Sequence, residues 1–169
     1  MIYKGTVHLF GDNVDTDVMI AGRHLSLLDP REMAKHMFEE SDPGFVKRVK
    51  PGDIMVAGHN FGSGSAREHA PLGFQALGIS CIVAESFSRT FYRMAVDLGL
   101  PIIECAEAAK VATQGAEGRV DTGTGEIVIG NQRVNTEPLP PFVQEIIDAG
   151  GMTNWVMREA RERGIEMTG

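Results

Sequence analysis

The sequence predicts a mixed α/β domain, a mixed sheet flanked by helices. Three observations point there. Between residues 53 and 104, apolar runs of strand length alternate with helical patterns, the order that builds βα units. Between residues 119 and 136, three short strand patterns joined by glycine-containing turns read as a meander. Hydrophobic residues make up 43% of 169, enough for one core and too many for disorder, so one domain is expected over 1–169.

Lys4–Phe10 alternates as a first strand and stops at Gly11-Asp12-Asn13. Asp29-Pro30-Arg31-Glu32 is a helix start, with Asp29 as cap, Pro30 at the first helical position and Glu32 completing a capping box. Met33, Ala34, Met37 and Phe38 continue it at helical spacing until Ser41–Gly44. Asp53–Ala57 is a strand that enters the glycine-rich turn Gly58–Ser65. A helix follows to Leu77, with Gly78 past its end. Pro71 belongs in its first turn, which sets Ser65–Arg67 at or just before its N-terminus. Ile79–Ala84 has buried-strand length, Ser88 caps a helix that ends at Gly99, and Pro101–Glu104 is a further strand. Arg119–Asp121, Glu126–Ile129 and Arg133–Thr136 form the meander. Two helices close the chain, one with Phe142, Val143, Ile146 and Ile147, the other with Trp155, Val156 and Ala160 above a charged face.

Composition excludes several functions. Acidic residues outnumber basic ones, 23 to 16, for a net charge of −7. That argues against a nucleic-acid partner, since phosphate binding needs Lys and Arg to displace counterions. Cys81 and Cys105 form no C-x-x-C pair, so neither a zinc site nor a disulfide scaffold is expected. Two thiols also fall short of the roughly four that an iron–sulfur cluster takes. The uncharged run Ala70–Ala84 is interrupted and shorter than the ~18 apolar residues of a membrane span. Met1–Gly5 has no signal-peptide character, and a reduced, cytoplasmic setting is expected.

The segment Gly58–Ala70 carries the chemistry. Glycines let a backbone approach a bound group, and a helix N-terminus presents free N–H groups and partial positive charge. Ser65 with Arg67 there suits a carboxylate or a phosphate. The plain alternative is a connection whose Ser65 caps the helix, and on these residues alone both readings stand. The segment is neither a P-loop, which needs Lys-Ser/Thr, nor a G-x-S-x-G elbow, since Ala66-Arg67 follows Ser65.

Gly62-Ser-Gly-Ser-Ala-Arg-Glu-His-Ala70 resembles the G-x-G-S-S-R-E-H-A signature of the aconitase-superfamily swivelling domain. Within it, the chain is most similar to the free-standing small subunits of 3-isopropylmalate dehydratase and homoaconitase. Gly11–Asp17, Ser86–Arg93 with Gly99-Leu100-Pro101, and Pro138-Leu139-Pro140 with Ile146–Gly151 match further blocks in order. The resemblance implies a swivelling β/β/α fold and a hydro-lyase acting on a di- or tricarboxylate. It implies Ser65 as the base and Arg67, with Gly64 and Ala66, as carboxylate binders. It also implies a [4Fe–4S] cluster on a large partner subunit, and no cofactor on this chain. The cluster would act as the Lewis acid on the leaving hydroxyl. Serine is a very weak base, so its alkoxide needs positive surroundings.

The family's substrate-reading loop falls at Arg23–Leu28. Homoaconitase-like members carry Tyr-Leu-Arg where this chain has His24-Leu25-Ser26. Ser26, Leu27 and Leu28 suit a branched alkyl group, which favours isopropylmalate and a place in leucine biosynthesis. A 2,3-dimethylmalate dehydratase, a homoaconitase and a non-catalytic carboxylate-binding module are the alternatives, and Arg23 brought into the distal position would favour homoaconitate. Ala66 replaces the signature's second serine, which removes one hydroxyl from the carboxylate site. Met94 stands where many members have Asn and reads as core. Glu68 and His69 read as structural, tying the turn to its neighbours, with a tuning role for His69 as the lesser reading. Asp12, Asp15 and Asp17 read as caps and Asx turns, because EF-hand spacing is missing, and no residue is assigned as a metal ligand. His59 is either a turn residue or a support for the site, His24 and His36 read as surface groups, and Arg89 and Arg93 either support the site or form surface ion pairs.

Overall fold

Strand β1 (Ile2–Leu9) lies at the centre of the sheet in this computed structural model, which describes residues 1–165. Residues 166–169 of the expected domain lie outside the described residues. On one side β1 pairs in parallel with β2 (Ile54–Ala57), followed by β3 (Cys81–Ala84) and β4 (Ile102–Glu104), also parallel. On the other side it pairs antiparallel with β5 (Glu117–Asp121), then β6 (Glu126–Ile129) and β7 (Gln132–Asn135). The seven strands run in the order β4-β3-β2-β1-β5-β6-β7. The mixed sheet and the terminal meander therefore form as the sequence predicts.

Helices cover the parallel half. They are α1 (Thr16–Met19), a 3₁₀ turn (Gly22–His24), α2 (Pro30–Ala34), α3 (Phe45–Arg48), α4 (His69–Leu77), α5 (Arg89–Asp97), α6 (Ala106–Val111), α7 (Pro141–Asp148) and α8 (Met152–Glu162). Every residue of β2 and β3 is buried, and alternate residues enter different cores. Met55, Ala57, Ile82 and Ala84 join a phenylalanine-rich cluster, whereas Ile54, Val56, Cys81 and Val83 join an aliphatic one with Val120, Ile127 and Ile147. A strand buried on both faces reads as a continuous apolar run, which is why these two are plain in the sequence.

One helix start differs from expectation. Asp29 caps α2 through a bond from the Arg31 N–H (2.8 Å), but Glu32 pairs with Lys35 instead of returning to the cap. That helix ends at Ala34, and tighter turns lead to Phe38, which is left-handed (φ 55°) and buried. A phenylalanine at positive φ is costly. Its ring is held by stacking on Phe10 (4.6 Å) and an edge contact with Phe45 (5.0 Å). Helix α4 starts at His69, with Glu68 at its N-cap position and Pro71 in the first turn. Ser65–Arg67 thus lie just before the helix, as expected. Ser88 caps α5 as expected. Among the described residues no helix is long and apolar enough to cross a membrane.

Candidate functional site

The carboxyl ends of β1, β2 and β3 lie side by side, where ligands sit in open parallel sheets. The loops that leave them are joined by short bridges, Asp15 to Ser63 and Phe61 to Phe87. Phe61 anchors the glycine-rich loop from below, fully buried against Phe74, Phe87 and Phe91. Burying one such ring contributes about 1.5–3 kcal/mol, enough to fix the base of a loop whose tip stays open. Gly62 (φ 78°) must be glycine, since a Cβ there would lie 2.2 Å from the Phe91 ring.

Beyond that anchor the loop rises into solvent. Gly64, Ser65 and Ala66 are exposed and Arg67 is partly buried. The residues Asp15-Thr16-Asp17 brace it one by one. The Asp15 carboxylate caps α1 and lies where a Gly64 side chain would be, so a Cβ at Gly64 (φ 90°) would come within 2.4 Å of it. Thr16, buried, receives nothing from Ser65's side chain. Its N–H donates to the Ser63 carbonyl (2.9 Å) and its hydroxyl to the Ser65 carbonyl (2.9 Å). Asp17 forms an ion pair with the Arg67 guanidinium, whose Nη1 is buried and otherwise without a hydrogen-bond partner. Ser65 does not cap the helix, and its hydroxyl meets no acceptor or donor among the described residues. The N–H groups of Ser65, Ala66 and Arg67 likewise meet no acceptor there.

This arrangement leaves one uncommitted hydroxyl, a set of N–H groups and one guanidinium on a single loop. A carboxylate could accept from those N–H groups and exchange for Asp17 on Arg67. The surface is open, as half of a site would be. By contrast, a cavity of about 520 Å³ lies at the opposite end of β2, between Lys4–Thr6, Lys50–Asp53 and Glu117–Arg119, remote from Ser65.

The segment Gly22–Leu28 lies against this loop. Gly22 faces the Arg67 guanidinium, and His69 donates from Nε2 to the Leu25 carbonyl (3.1 Å), the structural tie expected of it. Ser26 is exposed and Leu28 is 90% exposed, while Leu27 turns toward the phenylalanine-rich core. Arg23 is held by Glu39 and Glu40. His59 is a turn residue bonded to Ser86 (2.9 Å), and Asp12 accepts the His59 N–H (2.8 Å). Arg89 and Arg93 are exposed beside Tyr92 and Glu104. His24 and His36 are not simple surface groups: both are half-buried, stacked at 3.7 Å and turned onto Glu39. Thr16 escaped notice in the sequence because nothing local ties residue 16 to residue 65. The only signal was the Asp-Thr-Asp pattern itself.

The two cysteines do not fit an iron–sulfur cluster. Both are buried, Cys81 within β3 and Cys105 after β4, and burial pushes the Cys81 thiol far above its ordinary value.

Residues 44–108 match the family described as the aconitase C-terminal domain. The chain is 51% identical over 158 residues to the 3-isopropylmalate dehydratase small subunit of Helicobacter hepaticus, covering 92% of this chain and 96% of that one. It is 46% identical over 160 residues to that of Thermodesulfovibrio yellowstonii, covering 94% and 95%. Its fold superimposes on the crystal structure of 3-isopropylmalate dehydratase (leuD) from Methanocaldococcus jannaschii with a TM-score of 0.91 at 39% identity, covering 97% of this chain and 98% of that one. These relatives do not favour the homoaconitase or dimethylmalate alternatives. Sequence and fold agree over nearly the whole length, and the chain belongs to the family of 3-isopropylmalate dehydratase small subunits.

Proposed function

We propose that this chain is the proton-transfer half of a hydro-lyase that interconverts 2-isopropylmalate and 3-isopropylmalate by dehydration and rehydration. The observation that carries the assignment of roles is the pairing of an uncommitted Ser65 hydroxyl with Arg67 on one exposed loop, each braced by the Asp15–Asp17 segment. Arg67 binds a substrate carboxylate in place of Asp17. Ser65 takes the proton from the carbon next to a carboxylate and returns a proton in the reverse sense. The helix N-terminus is too far along the chain to be its main support, since α4 begins four residues later. The positive field that favours the alkoxide comes from Arg67, the free N–H groups of the loop and groups of the large subunit.

The leaving hydroxyl needs a Lewis acid, and this chain offers no donor set for a cluster. We assign that role to a cluster-bearing large subunit, so the small subunit alone is colourless and inactive. The substrate follows from the Gly22–Leu28 segment. Arg23 is engaged by Glu39 and Glu40, which leaves no cation there for a distal carboxylate. Leu28 projects an apolar side chain into solvent beside the site, and each methylene buried against it is worth about 0.8 kcal/mol. The test is kcat/KM of the anaerobically reconstituted complex on isopropylmalate, 2,3-dimethylmalate and homoaconitate. Isopropylmalate is expected to lead. A preference for homoaconitate would overturn the substrate assignment, and cluster absorbance with turnover in the small subunit alone would overturn the division of labour.

A further inference from the structure

We propose that His24, His36 and Glu39 form a binding site for a divalent transition metal of the zinc class, which fastens the Gly22–Leu28 segment to the turn after α2. One ligand-type atom from each residue lies within 4.8 Å of the other two. The donors come from two separate segments. His36 and Glu39 stand three residues apart, and the left-handed Phe38 between them turns the chain so that both face His24. His24 Nε2 lies 2.6 Å from Oε1 of Glu39 and His36 Nδ1 lies 2.8 Å from its Oε2, with the rings stacked at 3.7 Å and 16° apart.

Two imidazole nitrogens converging on the two oxygens of one carboxylate is a borderline donor set, the kind that selects zinc and its neighbours over magnesium or calcium. Zinc takes His nitrogen at about 2.0–2.1 Å, which sets ligand atoms about 3.3 Å apart in a tetrahedron and the two ring centroids about 5 Å apart. The rings therefore swing out of their 3.7 Å stack as the metal enters, and the present separations of 2.6 and 2.8 Å from Glu39 widen by about 0.5–0.7 Å. The ring proton that each nitrogen now gives to Glu39 moves to the other ring nitrogen or to solvent. The fourth position falls to water.

The remaining charges around Glu39 are accommodated. Arg23 touches both Glu39 and Glu40, so it keeps Glu40 when a cation claims Glu39. Lys35 is engaged by Glu32. The site's existence does not depend on the hydro-lyase reading.

The experiment titrates the purified full-length chain, stripped of metal, with zinc chloride by calorimetry and with cobalt chloride by visible absorption. Saturable uptake of one ion per chain is expected, with a cobalt spectrum that carries imidazole coordination. His24→Gln and His36→Gln should each weaken uptake by at least about tenfold, since even partners that only orient a ligand cost that much. His59→Gln, which alters a histidine outside the cluster, should leave it unchanged. Far-UV circular dichroism of each variant checks folding. No saturable uptake by the wild-type chain would overturn the site. So would equal uptake by a folded His24→Gln/His36→Gln double variant, or a loss in His59→Gln as large as theirs.

Discussion

The hydroxyl of Thr16 donates to the backbone carbonyl of Ser65 across 49 residues of sequence, at 2.9 Å. Thr16 is buried, so this bond fixes the height of Ser65 above the sheet while leaving its side chain free. Thr16→Val keeps the shape and removes the donor. It should cost about 1 kcal/mol in unfolding free energy. Misplacing the Ser65 hydroxyl should lower kcat of the reconstituted complex by about tenfold to a hundredfold with little change in KM. Urea unfolding and steady-state kinetics measure the two, and unchanged kcat would remove Thr16 from the positioning of Ser65.

Ser65→Ala deletes a hydroxyl that bonds to nothing in the described chain. Its Tm and its binding to the large subunit should match the wild type. Its kcat should fall by about 10²–10⁴, the range of a lost general base. A loss of only a few-fold would return Ser65 to a loop role.

Arg67→Lys retains charge beside Asp17 but loses the planar fork that can grip a carboxylate in two places. Both kcat and KM should worsen. Near-normal values for both would make Arg67 a brace for the loop and nothing more.

The acid limit of stability should depend on Asp53. Burial alone would raise its pKa, but the bond from His8 (2.8 Å) and the N–H groups of Lys50 and Thr6 outweigh it and hold the group below its ordinary range. A lowered pKa stabilises the fold above the unfolded value, about 3.9, and that contribution fades as pH falls through the native value. Asp53→Asn should therefore lose about 3 kcal/mol at pH 7. The gap from wild type should narrow below about pH 4, read by urea unfolding across pH. An equal gap at pH 3 and pH 7 would contradict the linkage.

What could be read from the chain follows from the range of the forces involved. Strands β2 and β3 and the caps Asp29 and Ser88 are local patterns, and each forms within a residue or two of its expected place. Pro71 located the start of α4, because proline fits a first turn, and Ser65–Arg67 fall just before it as expected; the long-range contacts of Asp15–Asp17 that brace them carry no local signal. Ser65 and Arg67 were singled out from the signature, and the structure places both on one loop before α4. Leu27 was read as facing substrate because three apolar or small residues in a row carry no period, and only packing separates the core-facing Leu27 from the exposed Leu28. The pairing of Arg23 with Glu39 and Glu40, and the stacking of His24 on His36, join segments about a dozen residues apart through irregular turns, where no periodicity operates.

The central place of β1 has a consequence for how the chain is made. Strand β1 is synthesised about fifty residues before its parallel neighbour, but its other edge pairs only with residues 117–121. Until then that edge offers unpaired N–H and C=O groups to any strand nearby, the usual route to misassembly of nascent chains. Its sequence there limits the hazard. Gly5 sits in the segment that later pairs with Gly118, and Lys4 precedes it, so the waiting edge carries one charge and one position without a side chain. Such a chain should tolerate slow synthesis of its middle but lose yield when synthesis halts before residue 117, and the shortfall should collect as aggregate.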